Sequence, residues 1–275
     1  MRLHAMAAQG NSDGFLDSVG RATADGVRAL RGAFEFTGRV VAAMASGFAH
    51  PRSFKLPDFG SVFLRAGADA VPVTLLVGFL LGFIIAYMSA AMLNKFGAEI
   101  YVANLIGLAL IRELGTIVAA IVLAARSASA FAAEIGTMVV NDEVAAMRTM
   151  GIDPVRYLAL PRIAAGALAL PLLSLFADLA GLAGGYLTLA IFGYSLKIFM
   201  TNAFAFCTVG NLLTTLAKGV IFGVLISATG CRSGLETGAG ADAVGKATTS
   251  AVVSALVLFI AADGLIALVS SAVGI

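Results

Sequence analysis

Residues 110–120 read LIRELGTIVAA, an apolar run interrupted by an adjacent Arg112 and Glu113. The setting of that pair decides what the chain is. The chain has 275 residues, of which 60% are hydrophobic and 12% charged, and its mean hydropathy is +0.96. A soluble domain carries about 25% charged residues, roughly twice as many. The composition therefore describes an integral membrane protein, and the pair lies within a run that enters lipid. The net charge of +2 gives no reason to expect nucleic acid as a partner.

Outward from that stretch, apolar runs long enough to cross a bilayer recur. The pattern predicts spans at about 66–93 (bent near Pro72), 103–138, 163–192, 204–229 and 249–274. Lys and Arg mark the cytoplasmic side. With the N-terminus inside, thirteen fall in cytoplasmic pieces, and two, Lys95 and Lys197, fall outside. The C-terminus is then expected outside.

Residues 15–49 have helical periodicity but are too charged to span. Leu16, Val19, Val27, Leu30, Phe34, Val41, Met44 and Phe48 share one face, while Arg21, Arg28, Arg31 and Arg39 lie on the other. Such a helix lies in the membrane interface, with its arginines toward headgroups as anchors. Pro51 and Pro57 end it, and SFKLPDFGS is expected to be a linker. The division is thus 1–57 for tail, interfacial helix and linker, and 58–275 for the membrane domain. The first fourteen residues hold no apolar core of the kind a secretory signal needs. His4 and His50 are isolated, so no metal site is expected. Cys207 and Cys231 are 24 residues apart. On one helix that is about 36 Å, too far for a disulfide.

Ala120, Ala124, Ala128, Ala132 and Gly136 recur every fourth residue, as do Ala177, Gly181 and Gly185. Gly78 with Gly82, and Gly219 with Gly223, are shorter versions. Small residues on one face let helices approach closely in lipid. Two uses remain open here: packing within the subunit, or a seam between subunits.

Residues 134–162, between spans two and three, form the most polar stretch beyond the linker. Asp142 and Glu143 lead a short helix with Val144, Met147 and Met150 along one side, which Gly151 ends. Adaptable methionines suit a partner's groove, and a helix merely covering the bundle is the alternative.

Three blocks, RELGTIVAAIVLAARSASAFAAEIGTM (112–138), NDEVAAMRTMGIDPVRYLALPRIAA (141–165) and GLAGGYL (181–187), resemble the MlaE (YrbE-type) permease family of ABC transporters. The resemblance extends over about residues 15–275. It implies an all-α permease of five transmembrane helices with an N-terminal interfacial helix, in the bacterial inner membrane, its N-terminus cytoplasmic and its C-terminus periplasmic. It implies a homodimer that moves phospholipid between the inner and outer membranes and so maintains outer-membrane lipid asymmetry. The chain itself would be non-catalytic and hold no cofactor. A cytoplasmic ATPase partner would use ATP and Mg and bind a coupling helix at about Asp142–Asp153, with Glu134 just before it; Glu143, Met147 and Met150 lie within that segment. A ring of MCE-domain proteins would sit on the periplasmic side, and any STAS-domain component would be a separate protein.

Arg112, Glu113, Lys218 and Asp263 come from three expected spans at similar depth, and their charges sum to zero. An unpaired charge in the bilayer centre costs about 2.5–3.5 kcal/mol or more, so these groups must face one another or a wet cavity. They fall on positions where the family carries polar residues near its lipid cavity. One reading is a static ion-pair network. The other has Arg112 and Lys218 meeting a lipid phosphate, with Glu113 and Asp263 balancing them when the site is empty. Leu76, Phe79, Leu80 and Val122 are candidate cavity-lining residues, and Asp178 is a further deep carboxylate with no assigned partner. An ion-coupled secondary transporter that uses the charge cluster as a relay is the competing function.

GADAVGKAT (240–248) imitates a phosphate-binding loop, but Ala247 stands where Ser or Thr would reach Mg²⁺, and no strand precedes it. It is expected to be a small-residue cytoplasmic loop.

Overall fold

In the computed structural model, the described residues are 56–205 and 207–273, together with positions 36 and 38. The expected interfacial helix and its anchors Arg21, Arg28, Arg31 and Arg39 lie outside the described residues. The chain divides into two units, Met1–Ala49 and His50–Ile275, and the bundle described below belongs to the second.

Among the described residues, five helices are long and apolar enough to cross a membrane: Phe59–Phe96, Tyr101–Val140, Val155–Ile191, Val209–Leu235 and Ala241–Ser270, here spans one to five. Every described element is helical. Spans two and three are the most buried and span five the least, so two and three form the centre against which the others pack.

Small residues set that packing. Thr74, Gly78, Gly82, Ala86 and Ala90 form a buried stripe along span one. The stripe lies on Ala177, Gly181 and Gly184 of span three so closely that a Cβ on Gly78 would sit 2.7 Å from the Ala177 carbonyl oxygen. The opposite face of span one, Leu76, Leu80, Ile84, Met88 and Met92, points outward. The Ala120–Gly136 stripe of span two is fully buried. Its Ala128 and Ala132 meet Gly230 and Gly234 of span four. Gly219 and Gly223 of span four lie on Pro171 and Gly166 of span three. The stripes are therefore seams within the subunit. In lipid, where apolar surface gains nothing by leaving its solvent, such close van der Waals contact holds helices together.

Two apolar cores result. One gathers Leu123, Leu170, Leu173, Phe222, Ile226 and Phe259 around the alanine stripe. The other gathers Ile106, Leu110, Leu182, Leu189 and Phe199 nearer the opposite end of spans two and three. Val122 belongs to the first core, which removes it as a cavity-lining residue. Leu76 and Leu80 lie on the outward face of span one, and Phe79 is half-buried.

Three details depart from the expected layout, and a fourth falls where span one was expected to bend, near Pro72. The linker is already helical from Leu56, because a proline in a helix's first turn lacks only an N–H that would have no partner there. The helix is interrupted by a 3₁₀ turn at Ala68–Ala70, immediately before Pro72. The phosphate-loop imitation is the first turns of the helix Ala241–Val273, with Lys246 and Asp242 paired at 3.7 Å along its surface. A short helix, Leu196–Ala203, follows span three, and span four begins at Val209 rather than near 204.

Candidate functional site: a charge cluster inside the bundle

The stretch that opens the sequence is locally unusual. Residues Leu110–Leu114 widen into a π-helical turn, in which the Gly115 N–H bonds back five residues to the Leu110 carbonyl. Such turns occur mostly as single insertions within α-helices, often at functional sites. The wide turn presents carbonyl groups sideways, and the Thr215 hydroxyl of span four donates to that of Ile111. Lys218 lies one turn further along span four. The bond therefore fixes span four where Lys218 reaches span two.

Lys218 Nζ donates to Glu113 Oε2 at 2.7 Å and to Asp263 Oδ1 at 3.2 Å. One ammonium thus joins spans two, four and five. Its side chain is only 6% exposed, those of Glu113 and Asp263 are 32% and 19% exposed, and that of Arg112 is 42% exposed. Arg112 Nε lies 4.0 Å from Glu113 Oε1. These residues stand roughly 6–13 Å from the midpoints of their helices, within the ~30 Å hydrocarbon layer of a bilayer. The four predicted residues are brought together, but in unequal roles. Lys218 is enclosed by carboxylates, while Arg112 and one edge of Glu113 face outward. An anion approaching from the open side would meet Arg112, while Lys218 is closed off by the two carboxylates in this arrangement. Lys218 therefore acts as the tie between helices.

Asp178 is buried on span three, and neither carboxylate oxygen has a hydrogen-bond partner among the described residues. It is pressed against Gly115, where any side chain would collide with it. It belongs to the same layer as the cluster without joining it. Thr215 is the functional residue that the sequence did not single out. Its spacing of three from Lys218 is the signal that it shares Lys218's face.

A second wide turn, Ala124–Ala128, carries Arg126, which donates to the Asp69 carbonyl in the 3₁₀ turn of span one. Glu134, eight residues on, accepts from Arg162 of span three at 2.8 Å and lies 3.8 Å from Arg65. It is thus engaged inside the subunit by two arginines.

The segment joining spans two and three holds a helix at Glu143–Thr149, started by Asp142 in the left-handed conformation and followed by Gly151 at φ +76°. Val144 turns into the bundle, Met147 is half-buried, and Glu143 and Met150 are exposed. The expected one-sided face is thus split, with only its far end open. Asp153 accepts from the Val155 N–H at 3.1 Å and so caps the start of span three.

Residues 59–269 match the family described as Permease MlaE. A probable ABC transporter permease protein of Rickettsia typhi is 34% identical over 229 residues, covering 82% of this chain and 88% of the relative. One from Rickettsia prowazekii is 36% identical, covering 77% and 84%. The chloroplastic protein TRIGALACTOSYLDIACYLGLYCEROL 1 of Arabidopsis thaliana is 36% identical over 72% of this chain and 57% of its own length. With a family match over most of its length and relatives of this identity and coverage, the chain belongs to the MlaE permease family and is a multi-pass permease of the ABC type.

Proposed function

We propose that this permease moves phospholipid between the inner and outer membranes of a bacterium, as a homodimer in the inner membrane. Its N-terminus is cytoplasmic and its C-terminus periplasmic. A cytoplasmic ATPase supplies the energy from ATP and Mg and docks on the exposed residues of the Glu143–Thr149 helix, Glu143 at its start and Met150 just past its end. A periplasmic ring of MCE-domain proteins receives or delivers the lipid, and a separate STAS-domain protein joins the ATPase. The Arabidopsis relative is named for a diacylglycerol lipid, which supports a glycerolipid as cargo.

One observation carries the reading: Arg112 opens outward at a depth where lipid tails would otherwise surround it. A guanidinium facing acyl chains there is unfavourable by about 2.5–3.5 kcal/mol or more. A polar cavity between two subunits removes that cost, and a phosphate within it gains the paired hydrogen bonds that a guanidinium donates in parallel. When ATP closes the ATPase dimer, the connecting helices carry the motion into spans two and three. The cavity narrows and the headgroup leaves Arg112.

Reconstitution with the ATPase in liposomes tests this. Arg112→Ala should cut transfer of a fluorescent phospholipid by at least about tenfold, the worth of one charge-assisted hydrogen bond of ~1.5–3 kcal/mol. Assembly should be unchanged, and Arg112→Lys should restore only part of the rate. Unimpaired transfer by Arg112→Ala would refute the headgroup role.

A further inference from the structure

A second charged site lies at the end of the bundle where spans two and three are joined. A cleft of about 210 Å³ opens between the helix Leu56–Gly67, span two and span three. Val62, Phe131, Leu158 and Pro161 make its apolar walls, and Arg65, Glu134, Tyr157 and Arg162 its polar rim.

The charges are unevenly held. Arg162 is bound firmly: it donates to Glu134 at 2.8 Å and to the Leu158 carbonyl at 2.9 Å, and its guanidinium lies 5.9 Å from the centre of the Phe131 ring. Its Nε is buried and has no acceptor among the described residues. Arg65 is 70% exposed and only 3.8 Å from Glu134. An exposed pair of that kind contributes little, so Arg65 turns to a better acceptor at almost no cost. Two guanidiniums against one carboxylate leave the rim one positive charge in excess. The vacant donor and the loosely held arginine both call for an added anion with several oxygens.

Depth identifies which anion. Arg65, Glu134 and Arg162 stand about 16–20 Å from the midpoints of their spans, just beyond the ~15 Å half-thickness of the hydrocarbon layer. That is the headgroup level. Along span two, Glu134 is 21 residues from Glu113, about 30 Å away, so this cleft is separate from the inner charge cluster.

We propose that the cleft binds a phosphate group, supplied by a phospholipid headgroup of the adjacent leaflet whose glycerol end rests on the apolar walls. Arg65 swings from Glu134 to the phosphate, and Arg162 keeps Glu134 while its Nε gains an acceptor. The site holds whether or not Arg112 handles the cargo.

Photo-crosslinking the full-length protein in nanodiscs tests this, with a phosphatidylethanolamine analogue bearing a diazirine near its headgroup. Peptides containing Phe131 or Tyr157 and Leu158 should be labelled, and Arg65→Ala should cut that labelling about tenfold, as expected for loss of one charge-assisted hydrogen bond. Arg65 is exposed, so this variant keeps the fold. A matching diacylglycerol analogue without phosphate should label these peptides no better than it labels the outward face of span one. Equal labelling of wild type and Arg65→Ala, or by the phosphate-free analogue, would overturn the site. Millimolar inorganic phosphate should leave the lipid label in place. If it erased the label, free phosphate would be the ligand and the lipid assignment would fall.

Discussion

Replacing Lys218 by methionine removes one charge and leaves two behind. Methionine keeps most of the side chain's length and apolar stem, so packing changes little and the electrostatic consequence stands nearly alone. Glu113 loses a partner at 2.7 Å but retains Arg112 at 4.0 Å and is one-third exposed. Asp263 loses its partner at 3.2 Å, is 19% exposed, and has no other ion-pair partner among the described residues. Removing one partner of a buried pair costs about 3–5 kcal/mol, because a charge is left uncompensated. Most of that loss should therefore come from Asp263. Removing the stranded charge as well should recover it, so Lys218→Met with Asp263→Leu should lie within about 1–2 kcal/mol of wild type, since apolar replacement of a whole buried pair is often near neutral. Reversible unfolding in mixed micelles, read as a double-mutant cycle, measures both quantities. A single-variant loss below about 1 kcal/mol, or losses that simply add, would show that Lys218 does not tie spans two, four and five together.

Gly82→Ala should destabilise the subunit by about 1–3 kcal/mol, because a Cβ there meets the Gly181 backbone of span three; Gly245→Ala, which meets nothing within 4 Å, is the control. Equal unfolding midpoints would refute the span one–three seam. Cys207 lies outside the spans, and burial, followed by the nearby Asp178 charge, pushes its thiol above the ordinary value of 9.0. The thiolate is the reactive form, so an impermeant maleimide should label Cys207 slowly at neutral pH and faster as pH rises. Labelling should come from the periplasmic side only, with Cys231 silent because it is fully buried; labelling from the cytoplasmic side would reverse the topology. Changing Glu143 and Met150 to alanine together should reduce ATPase copurification by about tenfold, the worth of one central contact of ~1.4 kcal/mol. Undiminished recovery would place the docking surface elsewhere.

The spans were legible because lipid imposes a simple rule: a crossing helix satisfies its own backbone, so length and apolarity suffice to find it. Arg112, Glu113, Lys218 and Asp263 were legible as a group for the same reason, since charges at one depth must find one another. What stayed hidden depended on contacts between helices. Leu110–Leu114 reads as ordinary helix, and its widening becomes visible only with the Thr215 hydroxyl on the Ile111 carbonyl. Residues 240–248 looked like a loop because glycine and alanine carry no period. They are helical from Ala241, and Ala247 and Ala251 are buried along that helix. The bond between Glu134 and Arg162 was hidden because the two residues are 28 positions apart. The division between an enclosed Lys218 and an open Arg112 is likewise a matter of burial.

The use of small residues constrains how a second copy can pack. Close helix approach in lipid favours Gly, Ala, Ser and Thr on the facing sides. Here the Thr74–Ala90 face is taken by span three, and Ala128 and Ala132 by span four. Gly219 and Gly223 are likewise taken by span three. The outward face of span one carries larger groups such as Leu76, Met88 and Met92, and that of span five carries Val257, Leu265 and Leu268 with the small, open Gly264 among them. Helices meeting through leucine and methionine stay further apart than helices meeting through glycine. Two subunits joined in this way would leave room between them where two tight seams would not, and adaptable methionines can repack as that room changes. In the proposed homodimer, the same distribution would leave the space between subunits adjustable, as a cavity that widens for a lipid and closes behind it requires.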